Sequence, residues 1–451
     1  MGGYLGSRPP HNLSLFGLPD GILADEMRIY FAGIGGVGIG PLAVIAKEAG
    51  YDVAGYDIAP SPITAELIAK GVRVSIGKGP AEFATANKER PINWLVATSA
   101  IPKDDPIFAF AREHNIRISK RDELINQLVH DKRQNLIAVS GTHGKTTTTA
   151  MLTWLFDQFD IPASHSIGTR VSFAPSGSFS SEGQCFIYEA DEYDRNMLHF
   201  RPEIALITSL DYDHPDTYPT HDDYKEAFRR FISRSKRVFA WQTDLDYIGV
   251  PADDKKVIAA DDLLSQEDSI KLPGAHNRRN ALLACAVFDS LFPELSFEQI
   301  VAAMNHFPGT QRRFERVAEN LYTDYGHHPV EIAATLQMAS ELNKRVVLVY
   351  QPHQNVRQHE IANDYRDSFQ QAKHVYWLPT YLTREDPQQP VLTPKQLIAK
   401  LSNPAIAEPA EMNETLVQAI RRELDRRSLV IVMGAGDVDK WLRDHLHEIV
   451  D

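Results

Sequence analysis

Short apolar runs, each the length of one buried strand, alternate along the chain with stretches whose apolar positions recur at helical spacing. The alternation starts with a strand at 28–33 and a helical run at 41–49. It continues through strands at 52–56 and 93–98 and a helix at 64–70 that Gly71 ends. Residues 117–128 lead into a polar stretch, 130–134, where a first domain boundary is placed. A second unit opens with a strand at 135–139, a glycine turn and a helix over 146–159. Strands at 184–189 and 203–210 follow, each ending in acidic residues. Residues 253–268 read as charged and irregular and 277–291 as a helix, and Pro308-Gly309 breaks the chain at a second boundary. The last third repeats the pattern, with strands at 320–324, 345–350, 374–378 and 429–433 and helices at 329–341 and 411–422. Strands interleaved with helices predict parallel sheets, so the expected fold class is α/β with three domains in series, 27–133, 134–307 and 308–451. The Gly- and Pro-rich leader, 1–26, reads as a flexible tail, or as an upstream start with Met27 the biological one.

Composition agrees with this organisation. At ~150 residues per domain, 451 residues suit three domains. A hydrophobic share of 43% with 24% charged residues describes a folded chain rather than a disordered one. The net charge of −13 argues against nucleic acid or an anionic membrane as the main partner, leaving room for local basic pockets. Only Cys185 and Cys285 occur. That excludes a disulfide framework and a cysteine-built zinc site, and it suits the cytoplasm. No apolar stretch approaches the ~20 residues of a membrane span.

Two glycine clusters carry the candidate chemistry. Gly33, Gly35 and Gly38, with Gly36 between them, fit G-x-G-x-x-G between a strand and a helix, and Asp57 ends the next strand. Such a loop lets backbone amides approach a pyrophosphate while the acid accepts ribose hydroxyls. A nicotinamide dinucleotide, another nucleotide diphosphate such as a UDP-sugar, and a turn that only packs helix on strand all fit this segment. The second cluster is Gly141, Thr142, His143, Gly144, Lys145, Thr146 and Thr147, again between strand and helix. It is a shortened phosphate loop, with Val139 where the common pattern has glycine. Backbone amides and the helix N-terminus hold phosphates there, Lys145 neutralises the transferring group and the Thr146 hydroxyl ligates Mg²⁺. Two acidic clusters, Glu189-Ala190-Asp191-Glu192 and Asp211-Tyr212-Asp213-His214, close strands that a parallel sheet brings to the same edge.

The chain resembles the Mur ligases of peptidoglycan synthesis from about Met27 to its end. Gly141 to Thr147 looks like their shortened phosphate loop, and Glu189 to Glu192 like their Glu-Ala-Asp-Glu motif. Asp213-His214 is similar to their Asp-His pair, and Gly274-Ala275-His276-Asn277-Arg278-Arg279-Asn280 to their Gly-x-His-Asn-x-x-Asn segment. Arg312-Arg313-Phe314-Glu315, Asp324-Tyr325-Gly326-His327-His328-Pro329, Gln351-Pro352-His353 and Met433-Gly434-Ala435-Gly436-Asp437 resemble the C-terminal signatures of the branch that adds L-alanine to UDP-N-acetylmuramate.

The resemblance implies an N-terminal Rossmann-like UDP-binding domain, a central P-loop ATPase-like parallel sheet and a C-terminal Rossmann-like domain for the amino acid. It also implies an ATP- and Mg²⁺-dependent ligase that works through an acyl-phosphate. Gly35, Gly36, Gly38, Asp57 and Ser99 would contact the UDP-sugar. Lys145 would hold the γ-phosphate, and Thr146, Glu189 and His214 the metal. His276, Asn277 and Asn280 would lie near adenine, Asp324 on the ribose and Arg312 on phosphates. His327, His328, His353 and Arg357 would serve the acceptor. Lys145, Glu189, His214 and Arg312 form the expected catalytic set, in a monomer or weak dimer.

Two departures bear on the acceptor. The alanine-adding branch usually has two arginines after Gln-Pro-His; here Gln354 replaces the first and Arg357 matches the second. The segments around Tyr193-Asp194 and Ser209-Leu210-Asp211 look more like the branch that reuses a murein tripeptide. A nicotinamide dehydrogenase is the rival from another class, and it leaves the central phosphate loop without purpose. Blander roles also stand for several residues. His327-His328 fits turn packing and His353 a bond to a loop carbonyl; Trp241, Trp377 and Tyr381 fit core or domain-interface positions. The basic run 229–237 fits a solvated helix face or, as the alternative, a phosphate patch.

Overall fold

A computed structural model describes residues 27–450 apart from 78, 80, 99, 215, 216, 252 and 384, so the leader lies outside the described residues. The chain divides into two compact units, Met1–Leu124 and Ile125–Asp451.

The first unit is built on five strands, β1 (Arg28–Ala32), β2 (Asp52–Asp57), β3 (Arg73–Ile76), β4 (Trp94–Ala97) and β5 (Arg117–Ser119). They run parallel in the order β3-β2-β1-β4-β5. Parallel strands are covered on both faces, which is why β1 can be RIYFA with every residue buried. Chain order reverses between β1 and β4, and the first glycine cluster leaves β1 at that switch point.

The second unit holds two sheets. The first contains β6 (Asn135–Ser140), β7 (Ser164–Ser166), β8 (Gly177–Ser178), β9 (Cys185–Glu189), β10 (Ile204–Ile207), β11 (Arg237–Ala240) and β12 (Val257–Ala259). Their order is β12-β11-β10-β6-β9-β7-β8, and only the β7–β8 pairing is antiparallel. Helices Lys145–Gln158 and Ala275–Leu291 bury Met151, Leu155, Phe156, Leu282 and Phe288 in its core. Register then sets the site: Val139 pairs with Glu189 and Ser140 with Ile207, so the ends of β9 and β10 flank the loop that leaves β6.

The other sheet contains β13 (Glu315–Ala318), β14 (Leu321–Asp324), β15 (Val346–Tyr350), β16 (His374–Trp377), β17 (Ala407–Pro409) and β18 (Leu429–Met433). It is ordered β13-β14-β18-β15-β16-β17 and is parallel except for the β13–β14 pair. The expected fold class, three α/β sheets in series with mostly parallel strands, is the one observed.

Some elements differ from expectation. Residues 253–268 are not irregular: they hold β12 and most of the 3-10 helix Asp261–Ser269. A three-residue edge strand with Ile258 exposed leaves no alternation to read. Residues 117–128, which lead into the polar stretch, hold β5 and most of the helix Arg121–Asp131. Helix Ala81–Glu89, with only Phe83 and Ala86 buried, had too little apolar pattern to show. The basic run closing helix His221–Arg234 is engaged locally: Arg229 pairs with Glu226, and Lys236 with Glu203. Among the described residues no helix is long and apolar enough to cross a membrane.

Trp241 and Trp377 are both buried. The Trp377 ring packs against Tyr350, Tyr365 and Phe369 with centroids 5.1, 5.4 and 4.9 Å away. Trp377→Ala is expected to lower unfolding free energy by about 3–5 kcal/mol in urea titrations. A loss below about 1 kcal/mol would mean that this aromatic cluster does not hold the last sheet together.

Candidate active site

The loop after β6 is shaped by two glycines with left-handed backbone, Gly141 (φ 132°) and Gly144 (φ 84°). Side chains would not fit there: a Cβ on Gly141 would stand 2.4 Å from Thr208 Oγ1, and one on Gly144 2.5 Å from Asn280 Nδ2. Thr142 is buried as part of the scaffold, its hydroxyl donating to the Asp211 carbonyl at 2.8 Å. Helix Lys145–Gln158 starts at Gly144 without a side-chain cap, and helix Ala275–Leu291 starts the same way at Gly274. By contrast Ser61, Asp105, Thr220, Ser296 and Asn413 each cap the helix they begin. The first amides of helix Lys145–Gln158 are donors available to an anion, whereas at the other helix the Gly274 and Ala275 amides donate to Glu341 Oε2 at 3.0 Å and Gln337 Oε1 at 3.2 Å.

Lys145 is the charge at the centre. Its Nζ lies 2.8 Å from Glu192 Oε2 and donates to the carbonyls of Gly141 and Thr142 at 2.7 and 3.1 Å. Burial pushes its pKa down, but Glu192 and then Asp191 outweigh that, and the ammonium is held above its usual range. Glu192, 1% exposed, is the partner that sequence reading passed over in favour of Glu189; the acidic run after β9 was the signal. Glu189 accepts from Thr146 Oγ1 at 3.0 Å and from the Gly168 amide at 3.2 Å, and burial raises its pKa against the pull of Lys145. His214 has a left-handed backbone (φ 59°), and its Nε2 lies 3.6 Å from Glu192 and 3.7 Å from Asp213. Burial lowers its pKa, yet the Glu192 and Asp213 carboxylates lift it overall.

A half-buried carboxylate next to a hydroxyl at the mouth of a phosphate loop is a donor pair that suits Mg²⁺. Among the described residues no three His, Cys, Asp or Glu side chains converge as a protein-only metal cage. Mg²⁺ commonly keeps waters and phosphate oxygens beside one or two carboxylates, so Thr146 and Glu189 fit it.

A cavity of about 290 Å³ opens beside the loop, and its walls include His143, Gly144, Thr147, His276, Asn277, Asn280, Arg313 and Asp324. Arg313 lines it rather than Arg312. The Arg312 guanidinium donates to the Gly434 carbonyl at 3.0 Å and lies 4.7 Å over the Tyr325 ring. Asp324 accepts the Phe314 and Gly326 amides at 2.7 Å each, and burial pushes its pKa up to about 6. A larger cavity, about 1150 Å³, is lined by Asp213, His276, His328 and Arg357 among others. His276, Val330 and Ala334 line both cavities. Of the four residues expected at the acceptor, His328 and Arg357 face this space and His327 and His353 are not in its lining. His327 packs 5.6 Å from His353, whose ring stacks on Tyr381 at 5.7 Å.

In the first unit the Gly35 amide donates to Asp57 Oδ2 at 2.7 Å, so the acid first serves to shape the glycine loop. Gly36 and Gly38 are exposed at its tip, and Ser99 lies outside the described residues.

Burial pushes the His327 pKa down to about 4, against about 6.5 for an unfolded histidine. Between those values the unfolded chain binds the proton first, so this residue's contribution is present above pH ~6.5 and is lost as pH falls toward 4. Asp324, raised rather than lowered, acts in the opposite direction over the acid range. Its contribution cancels when wild type and His327→Gln are compared. The variant is expected to show a flatter decline in urea midpoint across this window; parallel declines would contradict the assignment.

Three family models match in order: "Mur ligase family, catalytic domain" over residues 28–133, "Mur ligase middle domain" over 139–257 and "Mur ligase, glutamate ligase domain" over 312–436. A UDP-N-acetylmuramate–L-alanine ligase of Dinoroseobacter shibae is 31% identical, with 92% of this chain and 95% of that one covered. Its counterpart in Clostridium acetobutylicum is 30% identical, covering 92% and 96%. The crystal structure of a UDP-N-acetylmuramate-alanine ligase from Thermotoga maritima shares the fold at a TM-score of 0.71, with 23% identity over 93% of this chain and 98% of that one. A murein peptide ligase from Psychrobacter arcticus does so at 0.64, with 24% identity over 94% and 98%. The order of the domains, the phosphate loop and this similarity over almost the whole length lead to one conclusion: the chain belongs to the Mur ligase family.

Proposed function

We propose that the protein joins L-alanine to the carboxylate of UDP-N-acetylmuramate at the expense of ATP, a step in peptidoglycan precursor synthesis. The observation that carries this reading is the buried Lys145–Glu192 pair on a phosphate loop, beside two cavities that share a wall. The names of relatives matching over 92% of the chain support it.

The chemistry explains the layout. A carboxylate is a poor acyl donor because its leaving group would be oxide. Transfer of the γ-phosphoryl group to a carboxylate oxygen gives an acyl-phosphate and ADP. The amine of alanine then attacks the acyl carbon, the C–O bond to phosphate breaks, the amine loses a proton and an amide forms. The protein's work is alignment and charge neutralisation. Lys145 exchanges part of its contact with Glu192 for phosphate oxygens, and the open amides of helix Lys145–Gln158 add to it. Thr146 and Glu189, with His214, would hold Mg²⁺, which supplies positive charge to the triphosphate. His276, Asn277 and Asn280 border the nucleoside end, with Asp324 toward the ribose and Arg313 toward phosphates, while Arg312 is bonded to the Gly434 carbonyl. His328 and Arg357 face the acceptor. In the first unit the glycine loop at Gly35, Gly36 and Gly38, held by Asp57, receives the UDP diphosphate. Two buried free cysteines suit a cytoplasmic enzyme.

A second reading, ligation of a recycled L-Ala-γ-D-Glu-diamino acid tripeptide, is favoured by the larger cavity. Its 1150 Å³ exceeds the ~300–1,000 Å³ of ordinary small-molecule pockets. An acceptor screen decides between the two. ADP release is expected to require UDP-N-acetylmuramate together with L-alanine, and hydroxylamine is expected to trap the activated muramyl group as a hydroxamate. Turnover with the tripeptide alone would move the acceptor to the second reading.

Lys145→Ala is expected to lower kcat by about a thousandfold or more, the scale for loss of a transition-state charge contact. UDP-sugar affinity should stay within about threefold, under 1 kcal/mol. Equal loss of both would contradict the division of labour between the two units.

A further inference from the structure

Helix Pro329–Leu342 stands between the two cavities: Val330 and Ala334 line both, His328 and Pro329 line the larger and Glu331 the smaller. The Glu331 carboxylate reaches across to the phosphate loop. Its Oε2 accepts the backbone amides of His327 and His328 at 2.9 and 3.2 Å, which fixes it to the start of the helix. Its Oε1 lies 3.5 Å from His143 Nδ1 and 3.7 Å from Arg313 Nη1, both in the wall of the smaller cavity. The side chains of His143 and Glu331 are only 12% and 17% exposed, so water screens this contact poorly. One carboxylate therefore joins a residue of the phosphate loop to the backbone of the histidine that faces the acceptor space.

We propose that Glu331 is a positioning residue: it ties His143 of the phosphate loop to the partition between the cavities, so that nucleotide and acceptor are placed together. The proposal rests on the ligase reading and adds to it a residue that acts through others. A partition with Glu331 intact cannot shift at its acceptor face without moving the loop, since the bonds to His327 and His328 are to backbone. Removing the charge leaves Arg313 without this counter-ion and His143 without its carboxylate partner in a largely dry site. The two cavities then adjust independently.

The test approaches the contact from both sides. Glu331→Gln, which keeps shape and loses charge, is expected to raise KM for both ATP and L-alanine by about tenfold, the scale of one charged hydrogen bond, with kcat less affected. His143→Ala, made in the nucleotide wall, is expected to raise KM for L-alanine as well as for ATP. The double variant should be no worse than the poorer single one, because both break the same contact. The idea is overturned if His143→Ala moves KM for ATP alone, or if the losses in the double variant add. Should Glu331→Gln fail to fold by its thermal midpoint, the two KM values of His143→Ala decide. Calorimetric binding of a non-hydrolysable ATP analogue, run through the same cycle, separates this idea from the ligase reading. Wild type without alanine-dependent turnover but with non-additive binding losses would sink only the latter.

Discussion

An ammonium group buried at the edge of a parallel sheet is the constraint around which the second unit is arranged. Taking such an ion out of water costs several kcal/mol unless geometry returns it. Lys145 is met by Glu192 and by two carbonyls of its own loop. Those partners need a particular fold. Glu192 arrives only because β9 pairs beside β6, and the loop carbonyls are aimed only because the segment after β10 grips Thr142. The same placement makes the site ready for a polyanion. A carboxylate and two carbonyls satisfy the lysine, and phosphate oxygens of like charge and reach can take their place.

The helix termini divide along the same line. At five helices a Ser, Thr, Asp or Asn side chain (Ser61, Asp105, Thr220, Ser296 and Asn413) closes the first turn. Helix Lys145–Gln158 begins at Gly144 with no side-chain cap, and Gly144 borders the smaller cavity. Left-handed backbone at His214, Arg312 and Gln354 follows a related logic, since non-glycine residues adopt it at a cost that surrounding contacts must meet. Each of these residues adjoins a cavity or an element that walls one.

Much of this was readable from residue order because it rests on local rules. The continuous apolar run of β6, the glycines after it and the helix behind them are sequence-contiguous, and so is the acidic run after β9. What could not be read depends on direction rather than identity. Nothing in Glu189-Ala190-Asp191-Glu192 tells which carboxylate turns toward Lys145. Arg312 and Arg313 are adjacent and alike, yet a left-handed Arg312 sends one guanidinium to Gly434 and leaves the other for the cavity. His327 and His328 split in the same way, one packed on His353 and one facing the larger cavity. Edge strands of two or three residues, such as β8 and β12, carry too few positions for periodicity to register.

The open helix start at Gly144 has a consequence for the protein's lifetime. A ligand that bonds these amides in the folded chain adds stability by mass action. Degradation by proteases follows the population of opened chains when opening is fast relative to cleavage. A ligand held at these amides would therefore lower the population of opened chains that proteases cut.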